Sequence, residues 1–235
     1  IRGKMVEKLD SYGKEFLTRQ ALEGEYVDFE EPSDANGYTT LDIDKIETVV
    51  SYLAETLSNL YKVKLMKSLW YADALFYQRY GKSMTGLVYR HETMGALPVG
   101  HYSLMNLENL NVREELSFTH DSMLHVYPNE RADYSLLSEE EKGVLDAVIR
   151  KFKECKASEI VEYMHEERAY KETENGEIIP KIKISENVAK ITTPGFKQVY
   201  RLYSRENSQA IADILTLADE LLTIFNQSHD GPFAF

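Results

Sequence analysis

The 235-residue chain has one cysteine and too few basic residues to balance its acids. Cys155 alone can form neither an internal disulfide nor a cysteine-rich zinc site, so a reducing, cytoplasmic setting is expected. The 27 lysines and arginines stand against 39 aspartates and glutamates, which gives a formal net charge of −12. Nucleic acids are held mainly by basic side chains, so this chain is predicted not to bind them directly. A basic protein partner suits it better.

Long hydrophobic runs are also missing. The densest apolar stretch, residues 69–80, is interrupted by Asp73, Gln78 and Arg79 and is shorter than the roughly 20 residues that a bilayer span needs. No charged and then apolar leader opens the chain, so secretion and a membrane partner are not expected. The chain begins at Ile1 rather than at methionine, which indicates processing or a longer parent protein.

Recognisable catalytic motifs are absent as well. His165-Glu166 begins like a zinc-protease helix, but Ala169 stands where the second histidine is needed. Neither a glycine-rich phosphate loop nor a nucleophile elbow is present. His91 and His101 would suit a metal together with His165 only if the fold brought all three together. The sequence therefore predicts no enzyme, no cofactor and no metal site.

Helical periodicity dominates what is present. Apolar residues recur at helical spacing over 4–22, which predicts an N-terminal helix. Residues 23–36 then hold six acids and no base, which favours an extended acidic linker. The predicted organisation is a helix at 1–22, a linker at 23–37 and a compact domain at 38–235.

The compact domain is predicted to be built around one helix. A helix capped by Asp42 or Asp44 has a single apolar face. The next helix, 63–80, is apolar on nearly every side, so it is expected at the centre of the fold with Gly81 as its left-handed cap.

The later segments complete a mainly α fold, a compact helical domain with a small β-hairpin and minor antiparallel strands. They are a helix at 101–109, a hairpin of 115–119 with 123–127, a capping box at Ser138 and Glu141, a helix from Ser158 to Tyr170, an edge strand at 180–185 and a helix at 208–225.

Residues 62–90 form the only basic block, with six bases and one acid, and tyrosines cluster around it. Tyrosine next to arginine or lysine is typical of protein-binding hot spots. A solvated charged face and buried core rings are the alternatives. The predicted partner-binding residues are Lys67, Tyr71, Arg79, Tyr89, His101 and Tyr102.

Residues 64–98 resemble the Panacea family, the SocA-like antitoxin domain. The resemblance begins with Lys64-Leu65-Met66-Lys67 and Leu69-Trp70-Tyr71-Ala72-Asp73. It continues through an aromatic-rich turn to Gly95-Ala96-Leu97-Pro98, where the family has a Gly-Pro-Val-Pro-like turn, and the later segment with His165 is also similar. Its structural motif here comprises Trp70, Asp73, Gly81, Thr85, Gly86, Gly95, Pro98 and His165. Asp73 is expected to bond to the turn at 83–86, and the alternative is that it forms internal charge pairs with Lys64, Lys67 and Arg79 of the same helix.

The resemblance implies a phage-associated or bacterial toxin–antitoxin protein that neutralises a nearby-encoded toxin by direct contact. One alternative is a regulator of a toxin–antitoxin or prophage locus. Some family members carry a zinc finger and a helix-turn-helix ahead of the domain, and residues 1–22 resemble the tail of such a region without its zinc cysteines. In this alternative, the DNA-binding region of the regulator is absent from the chain. Another is an adaptor that delivers the toxin to a protease. A homodimer, the identity of the toxin and a host or phage origin are left open.

Overall fold

The computed structural model describes residues 2–117, 121–184 and 188, with the backbone alone for residues 2–12. Within these residues the fold is mainly helical with two small antiparallel strand pairs, as the sequence predicted. The helices are α1 (Arg2–Gly24), α2 (Ile43–Thr56), α3 (Lys62–Tyr80), α4 (His101–Met105), α5 (Glu139–Phe152), α6 (Ala157–His165) and α7 (Arg168–Lys171). The strands are β1 (Tyr89–Arg90), β2 (Leu97–Pro98), β3 (Asn111–Leu116) and β4 (Ser122–Tyr127).

Helix α3 is the centre of the fold. All residues from Lys64 to Phe76 are buried, and α2, α5, α6, β2 and β4 pack against the helix. Because neighbours surround it, a helix without a polar face is the stable solution here. The prediction of a central apolar helix is confirmed.

The predicted helix boundaries rest on visible caps. Asp42 Oδ1 accepts from the N–H of Lys45 at 2.9 Å, and Ser138 and Glu141 form the capping box that opens α5. Gly81 ends α3 with φ of 71°, the left-handed conformation in which glycine is least strained. These three local signals are confirmed.

The acidic segment is not the extended connector that its charge suggested. It contains a 3₁₀ helix, Val27–Phe29. The buried Asn36 donates through Nδ2 to the carbonyls of Phe29 and Glu31, both at 2.9 Å. The hydroxyl of the buried Tyr26 donates to the carbonyl of Val99 at 3.1 Å. The two Asn36 bonds fold the segment on itself, and the bond from Tyr26 to Val99 ties it to the domain, while the division at 22 and 37 stays a prediction.

Two other boundary predictions were wrong. The edge strand predicted at 180–185 is absent from residues 180–184, the part of it that the structure describes. A 3₁₀ helix, Lys181–Lys183, lies there, because the backbone N–H of Lys181 bonds to the carbonyl of Asp34 and its side chain enters the core. The helix predicted from Ser158 to Tyr170 begins at Ala157, breaks after His165 and resumes as α7.

The remaining predicted elements are a hairpin and two helices. The predicted hairpin is confirmed as β3 and β4, paired from Asn111 with Tyr127 to Leu116 with Ser122. The helix predicted at 101–109 is present as the shorter α4. The helix predicted at 208–225 lies outside the described residues.

Candidate partner-binding surface

The structure separates the six predicted partner-binding residues. Lys67 is 2% exposed, and Tyr71 and Tyr89 are fully buried, so their assignment to a binding surface was wrong. The physical reason is the position of α3 and β1 at the centre of the fold, where every side-chain direction meets another element. The predicted central position of helix 63–80 already favoured a buried Tyr71, whereas no periodicity separated Tyr89, outside that helix, from an exposed ring.

The buried motif residues are held by Asp73. Its Oδ1 accepts from the backbone N–H groups of Met84 and Thr85 at 3.0 and 2.9 Å. Its Oδ2 accepts from the hydroxyls of Thr85 and Tyr89, both at 2.7 Å. The predicted bond from Asp73 to the following turn is confirmed, and it also fixes β1.

Lys181 lies beside this carboxylate, and the sequence analysis missed it. Its Nζ lies 4.6 Å from the centroid of the Tyr89 ring and 5.5 Å from that of Trp70, and it donates to the carbonyl of Leu87 at 3.0 Å. Burial lowers the pKa of Lys181 to about 8, against the opposing effect of Asp73. A lysine 108 residues from Asp73 carries no local signal that it is buried near this carboxylate, because only the tertiary fold places it there.

A second buried ammonium supports the turn between β1 and β2. Lys67 Nζ donates to the carbonyl of Ala96 at 2.7 Å. Burial lowers the pKa of Lys67 to about 7, and Glu92 opposes this shift. Gly95 has φ of 91°, and a Cβ placed there would lie 3.2 Å from Nζ of Lys67 and 2.7 Å from Met164. The spacing of Lys67 and the turn glycine Gly95 therefore has a packing role in this chain.

Gly86, Pro98 and His165 also pack against other parts of the domain, whereas Gly81 is exposed at the end of α3. Gly86 has φ of 75° and lies against the backbone of Thr40. Pro98 pairs with Tyr89 in the two-stranded sheet. The ring of His165 stacks on one side of Tyr170 at 5.0 Å, and His91 stacks on Tyr170 at 3.7 Å. Within residues 2–117, 121–184 and 188, no three histidine, cysteine or acidic side chains are grouped as a metal site.

Tyr102 and His101 are the predicted residues that share a surface. Tyr102 is 71% exposed, its ring centroid lies 4.1 Å from that of His101, and Lys62 Nζ lies 4.2 Å from the same ring. We call Lys62, His101 and Tyr102 the Tyr102 surface. Burial and the neighbouring Lys62 lower the pKa of His101, so at neutral pH the imidazole is mostly uncharged.

A cleft of about 220 Å³ borders this surface. Its lining includes Pro98, His101, Tyr102 and the carboxylates of Glu25 and Glu92. The hydroxyl of Ser103 donates to Glu25 Oε1 at 2.7 Å, which fixes one wall. An aromatic ring flanked by acids and one lysine can contact both apolar and basic groups of a protein.

Arg79 belongs to a different part of the molecule. It is half-buried in the last turn of α3, whereas Lys62 begins that helix. Seventeen residues of α-helix place the two ends about 26 Å apart. The structure therefore does not combine Arg79 with the Tyr102 surface.

These features define a mainly helical domain whose polar motif residues organise its interior and whose exposed tyrosine lies on a rigid frame. Residues 65–171 match the family model of the antitoxin SocA-like Panacea domain, which confirms the resemblance seen at residues 64–98. The match covers slightly less than half of the chain.

Two curated proteins share short segments with the chain. One is the nicotinate phosphoribosyltransferase of Bacillus subtilis, 45% identical over 47 residues, which are 20% of this chain and 10% of that protein. The other is the nicotinate phosphoribosyltransferase of Caenorhabditis elegans, 51% identical over 41 residues, 17% of this chain and 7% of that protein. The chain thus spans a tenth or less of these curated relatives. No solved structure matches it, and no helix in the described part of the chain is long and apolar enough to cross a membrane.

Proposed function

We propose that this protein is an antitoxin-like binding module that neutralises a protein toxin by direct contact, without catalysis. The match to an antitoxin-like family supports the general role. The proposed partner is a protein encoded nearby, and the proposed place of action is the cytoplasm.

The single observation that carries a direct-contact role is the exposed Tyr102 on a fixed support. Tyrosine offers a large amphipathic surface and loses little conformational entropy when it binds. Lys62 and His101 already restrict this ring through their contacts at 4.2 and 4.1 Å. The Tyr102 ring has therefore lost part of its conformational freedom before the partner binds, which lowers the entropy cost of binding.

The charge of the protein supports a basic partner. The net charge of −12 attracts a positively charged protein over distances near the Debye length, about 8 Å at physiological salt. Glu25 and Glu92 line the cleft beside Tyr102 together with Arg90, so the two carboxylates offer contact points for basic groups although the cleft also holds a base.

The test is co-expression with the product of the adjacent gene, with growth and complex formation as the readouts. Tyr102→Ala is expected to weaken the complex by about tenfold or more, the loss typical of a central aromatic hot spot. Tyr80→Ala is the matched control. Tyr80 is also an exposed tyrosine, but it lies at the end of α3 opposite to Lys62 and therefore away from the Tyr102 surface.

The outcomes separate the alternatives. If the wild-type chain does not relieve the toxicity, the proposed function is contradicted. If Tyr102→Ala and Tyr80→Ala weaken the complex equally, only the role of the Tyr102 surface is contradicted. A toxin that disappears only when a cellular protease is present identifies an adaptor role instead.

A further inference from the structure

The outer edge of β3 carries backbone groups that face away from its partner strand. Val126 N–H donates to the carbonyl of Leu60 at 2.9 Å, so it points away from β3. The pair of Val112 with Val126 is therefore a non-hydrogen-bonded pair of the antiparallel ladder. Alternation along β3 then directs the N–H and C=O groups of Glu114 and Leu116 outward. No group within the described residues forms a hydrogen bond to them.

The other edge of the hairpin is already covered. Residues 60 and 61 lie along β4, through the bond from Val126 and an antiparallel bridge between Tyr61 and His125. The edge of β3 is therefore the side of this hairpin at which the described residues leave room for another strand. Open edges of this kind pair readily with an extended segment.

One face of β3 is anchored firmly enough to serve as a template. Glu115 accepts from Tyr61 at 2.8 Å, from His125 at 2.9 Å and from Tyr127 at 2.5 Å. These hydrogen bonds, that of Tyr127 first, lower the pKa of Glu115 to about 2, so the carboxylate stays charged and bonded at neutral pH. A strand that docks on β3 would meet a backbone that is already ordered.

A second copy of the chain is a poor occupant of this edge. Antiparallel pairing through the outward groups is centred on Arg113, Glu114 or Glu115. The Glu114 centre also pairs Arg113 with Glu115, but each of the three centres places two like charges directly opposite each other at the symmetry axis. Such pairs are destabilising in a sheet.

A basic segment from another protein fits better. Val112, Glu114 and Leu116 share one face of β3, where Leu116 is 71% exposed. An added strand with lysine or arginine opposite Glu114, and apolar residues two positions to either side, complements this face. A groove of about 740 Å³ at the Asn111 end of the strand can take the continuing chain.

We propose that the outer edge of β3 binds an extended basic segment of the partner protein as a third strand of the hairpin. The proposal rests on the proposed function, since it names the chemistry of the same partner. Main-chain hydrogen bonds would supply affinity, and the Val112, Glu114 and Leu116 face would supply selectivity.

Glu114→Pro tests the edge while sparing the hairpin. Proline lacks an N–H, and at position 114 the missing group is one that points outward rather than toward β4. Glu114→Gln is the matched control, because it removes the charge and keeps the outward N–H. Unchanged circular dichroism spectra confirm that both variants retain the fold.

The probe is the peptide TVTKTVT with blocked ends, and the readout is amide hydrogen exchange in the full chain by NMR. At saturating peptide, amide exchange at Glu114 and Leu116 should slow by about tenfold or more. Glu114→Pro should raise the dissociation constant of the peptide by about tenfold, and Glu114→Gln should raise it less. Equal binding by Glu114→Pro, or no slowing at Leu116 at millimolar peptide, overturns the proposal.

Toxin neutralisation separates this proposal from the proposed function. Neutralisation that is equal for wild type and Glu114→Pro overturns strand addition and leaves the antitoxin role standing. Peptide binding along β3 without neutralisation by the wild-type chain contradicts the antitoxin role alone.

Discussion

Replacing Asp73 by asparagine should destabilise the protein strongly although it changes almost no volume. Asp73 is fully buried and accepts four hydrogen bonds, two from backbone N–H groups and two from hydroxyls. An amide oxygen can keep the two backbone bonds only as neutral bonds, and its NH₂ group cannot accept from the hydroxyls of Thr85 and Tyr89. It also removes the negative charge near the buried ammonium of Lys181.

The expected loss in the free energy of unfolding is about 3–4 kcal/mol. A hydrogen bond to a charged group contributes about 1.5–3 kcal/mol and a neutral one about 0.5–1.5, so each of the four bonds loses roughly 1 kcal/mol. Relief of the desolvation of the carboxylate offsets part of this loss. The assay is equilibrium unfolding in urea, read from the fluorescence of the buried Trp70.

Asp146→Asn is the control, because that half-buried carboxylate accepts one described hydrogen bond, from Tyr52 at 2.9 Å, and should lose no more than about 1 kcal/mol. Combining Asp73→Asn with Lys181→Met should give a coupling energy of about 1 kcal/mol or more, since each group stabilises the charge of the other. Equal losses from Asp73→Asn and Asp146→Asn would refute the role of Asp73 in fixing the turn and β1.

Two further predictions concern the interior. The pKa of Lys67 is about 7 in the folded protein and 10.5 ordinarily. Between these two values the unfolded chain binds a proton that the native state does not. Relative to Lys67→Met, the free energy of unfolding should therefore rise with pH by about 1.4 kcal/mol per pH unit between pH 7.5 and 9.5. Urea titrations of both proteins at several pH values measure this, and parallel pH profiles would contradict it. Gly86→Ala should cost more than about 2 kcal/mol, since its Cβ would lie 2.3 Å from the Thr40 carbonyl oxygen, whereas Gly81→Ala, with a similar φ and open space, should cost about 1 kcal/mol. Thermal melts compare the two, and a similar fall in melting temperature would refute the close-contact explanation.

The sequence alone was sufficient for the local decisions. The uninterrupted apolar pattern of 63–80 predicted a central helix, because a helix without a polar face has to be surrounded. Caps at Asp42, Ser138 and Gly81 were readable since each depends on neighbours within four residues. The bond from Asp73 to its following turn was also predictable, because it spans only 11 and 12 residues.

Tertiary structure decided which polar and aromatic side chains are inside. Lys181 reaches Leu87 across 94 residues, and Lys67 is buried although it is a lysine. Buried charges of this kind depend on carbonyls and rings supplied by distant elements, and no local pattern records them. The same reason explains why Tyr89 could not be distinguished from Tyr102 in the sequence, and why the acidic segment folds onto the domain despite its charge. Periodicity determines which face of an element is apolar, and only packing determines what covers that face.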